Sequence, residues 1–301
     1  MAFLKFMVHI HMNIGITGHK GLIGQSLVKR LESQGHDIVF AIDKVDGDDI
    51  RWINKLSQDV PRIDRLYHLA SKCKINECIE YPSIAFDNNV LGTHEVMEFA
   101  RHHRIPHVVA FSSSRVLCPQ SNPYTASKVY LEELARAYTE AYGIEHTIIR
   151  PSTVYGPGVD RTSRLMSNFI VACLKGQSMH IYGNSDKTLD FTYIDDFLDG
   201  VDLAVEKGER NEAYNISGGE EKITTIAHEI PKLTGNRSGI IFHNSERAQP
   251  QQVSVDTSKI RALGYEPKVS IQQGIQKMVD WYRENPAELD AYVDHGRQFV
   301  K

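Results

Sequence analysis

Residues 13–24 read Asn13-Ile14-Gly15-Ile16-Thr17-Gly18-His19-Lys20-Gly21-Leu22-Ile23-Gly24. The first five form a short apolar run of strand character, and Thr17 hands the chain to a G-x-x-G-x-x-G turn. Beyond the turn, Leu22, Ile23, Leu27, Val28 and Leu31 recur at helical spacing, predicting a helix over 22–34. Strand, glycine turn and helix in succession separate this stretch from a chance glycine motif. Glycine lets the main chain approach a pyrophosphate, and the helix amino terminus offers free N–H groups and the positive end of its dipole.

Working outward, the next strand, Asp37–Ile42, is closed by Asp43, 19 residues after Gly24. A carboxylate there accepts from both hydroxyls of an adenine ribose and repels a 2′-phosphate, which favours NAD over NADP. Lys20 and Lys44 leave some tolerance for the phosphorylated cofactor. Further strands are predicted at Arg65–Ala70, His107–Phe111 and Glu145–Ile149, with long helices at Ser83–His103 and Pro123–Tyr142. Short β-rich runs alternating with helices predict an α/β fold with a doubly wound parallel sheet. After Pro151 the rhythm changes to helices near 165–175, 195–206, 224–233 and 271–284 with short strands at 179–182, 213–216 and 239–242. The expected organisation is a dinucleotide-binding domain over 1–155 and a smaller α+β C-terminal substrate lobe over 156–301, with some segments returning to the main sheet. Residues 1–11, ahead of Met12, read as an extension without a chemical role.

Composition narrows the function. Lys+Arg is 34 and Asp+Glu is 38 in 301 residues, a net charge of −4. That balance speaks against broad electrostatic capture of nucleic acid. The four cysteines, Cys73, Cys78, Cys118 and Cys173, form no CxxC pair and read as reduced thiols of a cytoplasmic protein. No apolar run reaches the length of a membrane span. The 14 histidines have no partnering carboxylate pattern, so no metal site is expected. His68, in a buried strand, reads as a hydrogen-bonded core residue.

Tyr124-Thr125-Ala126-Ser127-Lys128 is a Y-x-x-x-K on a predicted helix, which puts both side chains on one face. A free phenol has a pKa of about 10 and is a poor base at neutral pH. A neighbouring ammonium and an oxidised nicotinamide would favour the phenolate and lower that value. Tyr124 could then take a proton from an alcohol while hydride leaves the same carbon. The pair follows a strand ending Phe111-Ser112-Ser113-Ser114, and a hydroxyl at that carboxyl end points where open α/β sheets bind ligands.

The sequence resembles an extended short-chain dehydrogenase/reductase of the NAD-dependent sugar-nucleotide epimerase/dehydratase family, of the UDP-glucose 4-epimerase type. The likeness rests on TGHKGLIG (17–24), Asp43, HLAS (68–71), DNNVLGT (87–93), SSSRV (112–116), YTASK (124–128), RPSTVYGPG (150–158), LDFTYIDD (189–196) and YNISGG (214–219). It implies a Rossmann sheet and NAD as cofactor. Gly18, Gly21 and Gly24 would hold the pyrophosphate, with main-chain N–H groups from Leu22 and Ile23, and Asp43 the adenosine ribose. Leu69, Ala70, Ser71 and Asn89 would line the cofactor, and Pro151 to Val154 flank the nicotinamide. Lys128 would bond the nicotinamide ribose, and Ser113 the reacting oxygen. A homodimer through the helices near 83–103 and 123–142 is also implied.

The chain departs from the family pattern in places. Val116-Leu117-Cys118 replaces V-Y-G, Leu189 stands where the diphosphate-binding arginine is usual, and Thr153 replaces an asparagine. Arg161, Arg164, Lys187 or Arg247 could supply the lost charge, Arg247 being the best placed by sequence, with Thr153 a further substrate contact. Members that eliminate water carry an Asp-Glu pair after the serine or threonine, whereas this chain carries Ser114 and Arg115. The resulting expectation is epimerisation of a nucleotide sugar at C4 through a transient 4-keto sugar. The alternatives are a keto-sugar reductase, an atypical dehydratase, or a cofactor-binding regulator without catalysis.

Overall fold

The computed structural model describes residues 11–56, 60–118, 121–160, 164–244 and 255–292. The first half runs β1 (Asn13–Thr17), α1 (Leu22–Ser33), β2 (Asp37–Ile42), α2 (Ile53–Leu56), β3 (Arg65–His68), α3 (Ile75–Glu80), α4 (Pro82–Ala85), α5 (Gly92–His102), β4 (His107–Phe111), α6 (Pro123–Tyr142) and β5 (Glu145–Pro151). It continues through β6 (Thr153–Tyr155), α7 (Leu165–Leu174), β7 (Met179–Tyr182), β8 (Thr188–Tyr193), α8 (Ile194–Glu206), β9 (Glu212–Ile216), β10 (Glu220–Lys222), α9 (Ile223–Thr234), β11 (Ile240–His243), α10 (Ser258–Ala262), α11 (Ile271–Glu284) and α12 (Pro286–Ala291).

The main sheet has six strands in the order β2-β1-β3-β4-β5-β9, every pairing parallel. Its strands are apolar on both faces because helices cover both. One face packs Ile14, Ile16, Val109 and Ile149 with Leu27 of α1, Phe197 and Val201 of α8. The other packs Leu66 and Val108 with Val96 and Phe99 of α5 and Tyr138 of α6. The chain leaves β1 toward β2 on one side and returns to β3 on the other. A doubly wound sheet opens a crevice at that reversal, outside the carboxyl ends of the strands.

Part of the second half belongs to this sheet. β9 pairs with β5, and Asp199 and Asp202 of α8 grip Arg30 of α1 at 2.5 and 2.9 Å. The remainder includes the three-stranded β10-β8-β6 sheet and the parallel β7/β11 pair. The stretch expected as one helix over 83–103 is instead α4, a π-helical turn Phe86–Leu91, and α5. The wider turn accompanies a buried Asn89, whose amide engages main chain and a hydroxyl outside its own helix.

Candidate active site

The reversal between β1 and β3 opens a cleft of about 790 Å³. Gly18, Gly21 and Asp43 stand at one end, Ser113, Tyr124, Lys128, Thr153 and Val154 at the other, and Leu69, Ala70 and Ser71 in between, with Pro151 beside Thr153. Leu22, Ile23 and Gly24 also face it. Asn89 does not. Its carbonyl accepts from the Lys72 amide at 2.7 Å, and its NH2 donates to the Lys72 carbonyl and to Ser127 Oγ, both at 3.0 Å. Asn89 therefore clamps the 69–73 loop to α6 from behind the wall. Arg161 and Arg247 lie outside the described residues.

The glycine turn is built for close approach. Gly18 has φ +81°, a left-handed conformation, and a Cβ there would stand 2.6 Å from the Ala70 nitrogen. At Gly24 a Cβ would collide with the Gly18 carbonyl, whereas at Gly21 the nearest atom would be 3.6 Å away. Gly18 and Gly24 thus let turn, loop and helix meet, and Gly21 leaves open surface. Among the described residues no side chain caps α1, and no acid lies in its first turn, so its amino terminus can receive an anion. Asp43 is held by main-chain amides, Lys20 N–H donating to Oδ2 and Val45 N–H to Oδ1, each at 2.9 Å. The Lys20 ammonium lies 3.6 Å from Asp46. Asp48, Asp49 and Ile50 extend this end of the wall, a contribution no sequence spacing announced.

At the other end Ser113 and Tyr124 both line the cleft, and the serine hydroxyl is near enough to favour the phenolate. Helix α6 places the phenol: Asn122 caps it by accepting from Thr125 N–H at 3.0 Å, Pro123 opens its first turn, and Gly143 at φ 69° ends it. Tyr124, Lys128 and Glu132 follow one another down its buried face. Lys128 Nζ stands 6.0 Å from the Tyr124 ring. Burial lowers Lys128 to about 8. The expectation for Tyr124 is reversed in the protein alone: burial raises the phenol to about 12, with Cys73 adding to the rise. Against that act the Ser113 hydroxyl and the charges of Arg164 and Arg115. Desolvation outweighs them because the ring is almost fully enclosed, packed with Cys78 and Ala85.

Glu132 and Arg115 escaped the sequence reading as site residues. Glu132 accepts from Ser112 Oγ at 2.6 Å and from Arg150 Nε at 2.8 Å, locking α6 to the ends of β4 and β5. Its spacing of four from Lys128 was the available signal. Arg115 lines the cleft, as does Arg164, one of the cations the sequence offered for the lost charge. His68 is a core residue, bonded to Thr17 Oγ1 at 2.8 Å and Thr93 Oγ1 at 3.1 Å, and burial lowers it to about 3.

A family model described as the NAD dependent epimerase/dehydratase family matches residues 14–217. The chain belongs to that family. Its cofactor is accordingly NAD, and the glycine cradle and the uncapped α1 terminus fit a dinucleotide. Among similar proteins is a dTDP-glucose 4,6-dehydratase of Salmonella typhimurium, 28% identical, the match covering 91% of this chain and 93% of the relative. A protein described as a putative UDP-glucose 4-epimerase from Methanocaldococcus jannaschii is also 28% identical, over 90% of this chain and 98% of its own. The solved structure of the epimerase Mth375 from Methanothermobacter thermautotrophicus shares the fold, with a TM-score of 0.85 at 22% identity over 94% of this chain and 95% of that one. No helix among the described residues is long and apolar enough to cross a membrane.

Proposed function

We propose that this family member epimerises a nucleotide-activated sugar at C4 through a transient 4-keto sugar. One observation carries the reading: in the cleft that Ser113 and Tyr124 line together, Arg115 stands two residues after Ser113, where loss of water would call for an acid. NAD, when bound, supplies the hydride acceptor and donor. In this reading Gly18, Gly21, Leu22, Ile23 and Gly24 hold its pyrophosphate and Asp43 its adenosine ribose, while Leu69, Ala70, Ser71, Pro151 and Val154 line it. Ser113 holds the C4 oxygen and Tyr124 takes and returns its proton. Lys128 lends positive charge beneath the phenol and bonds the nicotinamide ribose. Thr153 borders the sugar.

Likeness to dTDP-glucose 4,6-dehydratases supports elimination as the second reading, since both reactions begin with oxidation at C4. Incubation of the purified protein with UDP-glucose, UDP-glucuronate and dTDP-glucose, followed by chromatography and mass spectrometry, separates them. A 4-epimer of unchanged mass is expected. A product lighter by one water establishes elimination, and no conversion of any of the three counts against both readings.

We further propose a homodimer through the segment around α4–α5 and through α6. Phe86 is 58% exposed and Val129 43% exposed on these two elements. Sedimentation should give twice the 34.1 kDa chain mass, reduced to one chain by Val129→Glu.

A further inference from the structure

Arg115 is a cation that the proton and hydride chemistry leaves unused. It lies in the 3-10 turn Ser114–Leu117, whose second amide, Arg115 N–H, donates to Ser113 Oγ at 3.2 Å. Its side chain lines the cleft. Guanidinium groups taken out of water ordinarily face a carboxylate, because an unpaired buried charge is costly. Among the described residues none forms an ion pair with Arg115. Arg164, the other guanidinium among the described lining residues, is differently placed: its main-chain amide donates to Asp160 Oδ2 at 3.3 Å, Asp160 supports its charge, and its Nη1 donates to the Val154 carbonyl at 3.1 Å.

A second cation adds to the excess. Lys187, just ahead of β8, is near enough for Arg115 to disfavour its charge, and it too has no ion pair among the described residues. Burial is the main cause that pushes both groups below their ordinary values. A cleft-lining guanidinium with a second cation near it, neither in an ion pair among the described residues, favours an anion.

We propose that Arg115, with Lys187 beside it, binds a negatively charged group of the substrate. This deepens the nucleotide-sugar reading and rests on it. A nucleotide sugar offers two such groups: the diphosphate, for which β8 carries the apolar Leu189, and the ring carboxylate of a uronic acid. The guanidinium matches either, since both present paired oxygens to its parallel N–H donors.

The test is titration calorimetry on the NAD-loaded protein with UDP-glucose and UDP-glucuronate, comparing wild type, Arg115→Ala, Arg115→Lys and Lys187→Ala. Thermal melting and retained NAD verify that each variant is folded. Arg115→Ala is expected to weaken binding at least about tenfold, with Arg115→Lys recovering part of it. Loss with both ligands assigns the site to the diphosphate, and loss with UDP-glucuronate alone assigns it to the carboxylate. Affinities unchanged for both ligands in folded Arg115→Ala overturn the proposal, whatever the turnover. Arg115-dependent binding without any 4-epimer overturns the epimerase reading and leaves this one standing. Failure of wild type to bind either ligand overturns both.

Discussion

Lys128 donates from Nζ to the main-chain carbonyl of Phe111 at 2.9 Å. That bond joins helix α6 to the end of the strand that continues into Ser112 and Ser113. With Glu132 accepting from Ser112 one turn further on, the helix has two polar anchors on a single strand end. The relation of the Tyr124 phenol to the Ser113 hydroxyl follows from these anchors, so Lys128 positions the site as well as charging it.

Tyr124→Phe should lower turnover at least about a hundredfold, the lower range for a positioned acid–base group, while bound NAD stays the same. The measurements are steady-state rates on the converting nucleotide sugar and the nicotinamide nucleotide released on denaturation. Near-normal turnover would remove Tyr124 from its role.

Two glycines of the turn, Gly18 and Gly21, should separate by experiment. Gly18→Ala places a Cβ 2.6 Å from the Ala70 nitrogen at a left-handed φ, so it should lower thermal stability and empty the cofactor site together. Gly21→Ala meets nothing closer than 3.6 Å and should melt near the wild type while binding NAD more weakly. Equal melting temperatures for both variants would contradict this account.

Asp43→Asn keeps an acceptor for the Val45 amide but removes the charge that repels a 2′-phosphate. The ratio of NADP to NAD affinity should rise about tenfold or more, read by fluorescence titration of the reduced cofactors. An unchanged ratio would shift cofactor choice to other residues of the wall.

Acid should destabilise the fold through buried imidazoles. Burial, the leading cause at each, lowers His68 to about 3, His107 to about 2 and His146 to about 4. Below the unfolded value of about 6.5 the unfolded chain binds protons that the folded chain refuses, so stability falls as pH falls. The loss begins near pH 6.5 and continues through these folded values, approaching about 1.4 kcal/mol per pH unit for each imidazole. Melting curves between pH 7.5 and 4.5 test this, and a melting temperature flat over that range would refute it.

Much of the fold could be read locally. Periodicity placed β1, β2, β4, β7, α6 and α11 at their observed limits, because each pairs a clean apolar period with a cap, a proline or a glycine at its ends. It missed β6, β8 and β10, whose strand character comes from partners far along the chain. The wide turn at Phe86–Leu91 was equally hidden, since a π turn and an α turn share an apolar pattern over so short a span.

The sequence alone determined the glycine turn, the carboxylate after the second strand, and the helix carrying Tyr124 and Lys128, because these depend on neighbours within a few residues. Only the tertiary structure decided that Asn89 clamps a loop from behind the wall, that burial raises Tyr124, and that Arg115 faces the cleft without a carboxylate partner among the described residues. Those outcomes depend on desolvation and on charges brought together from distant segments, and neither quantity is contained in local spacing.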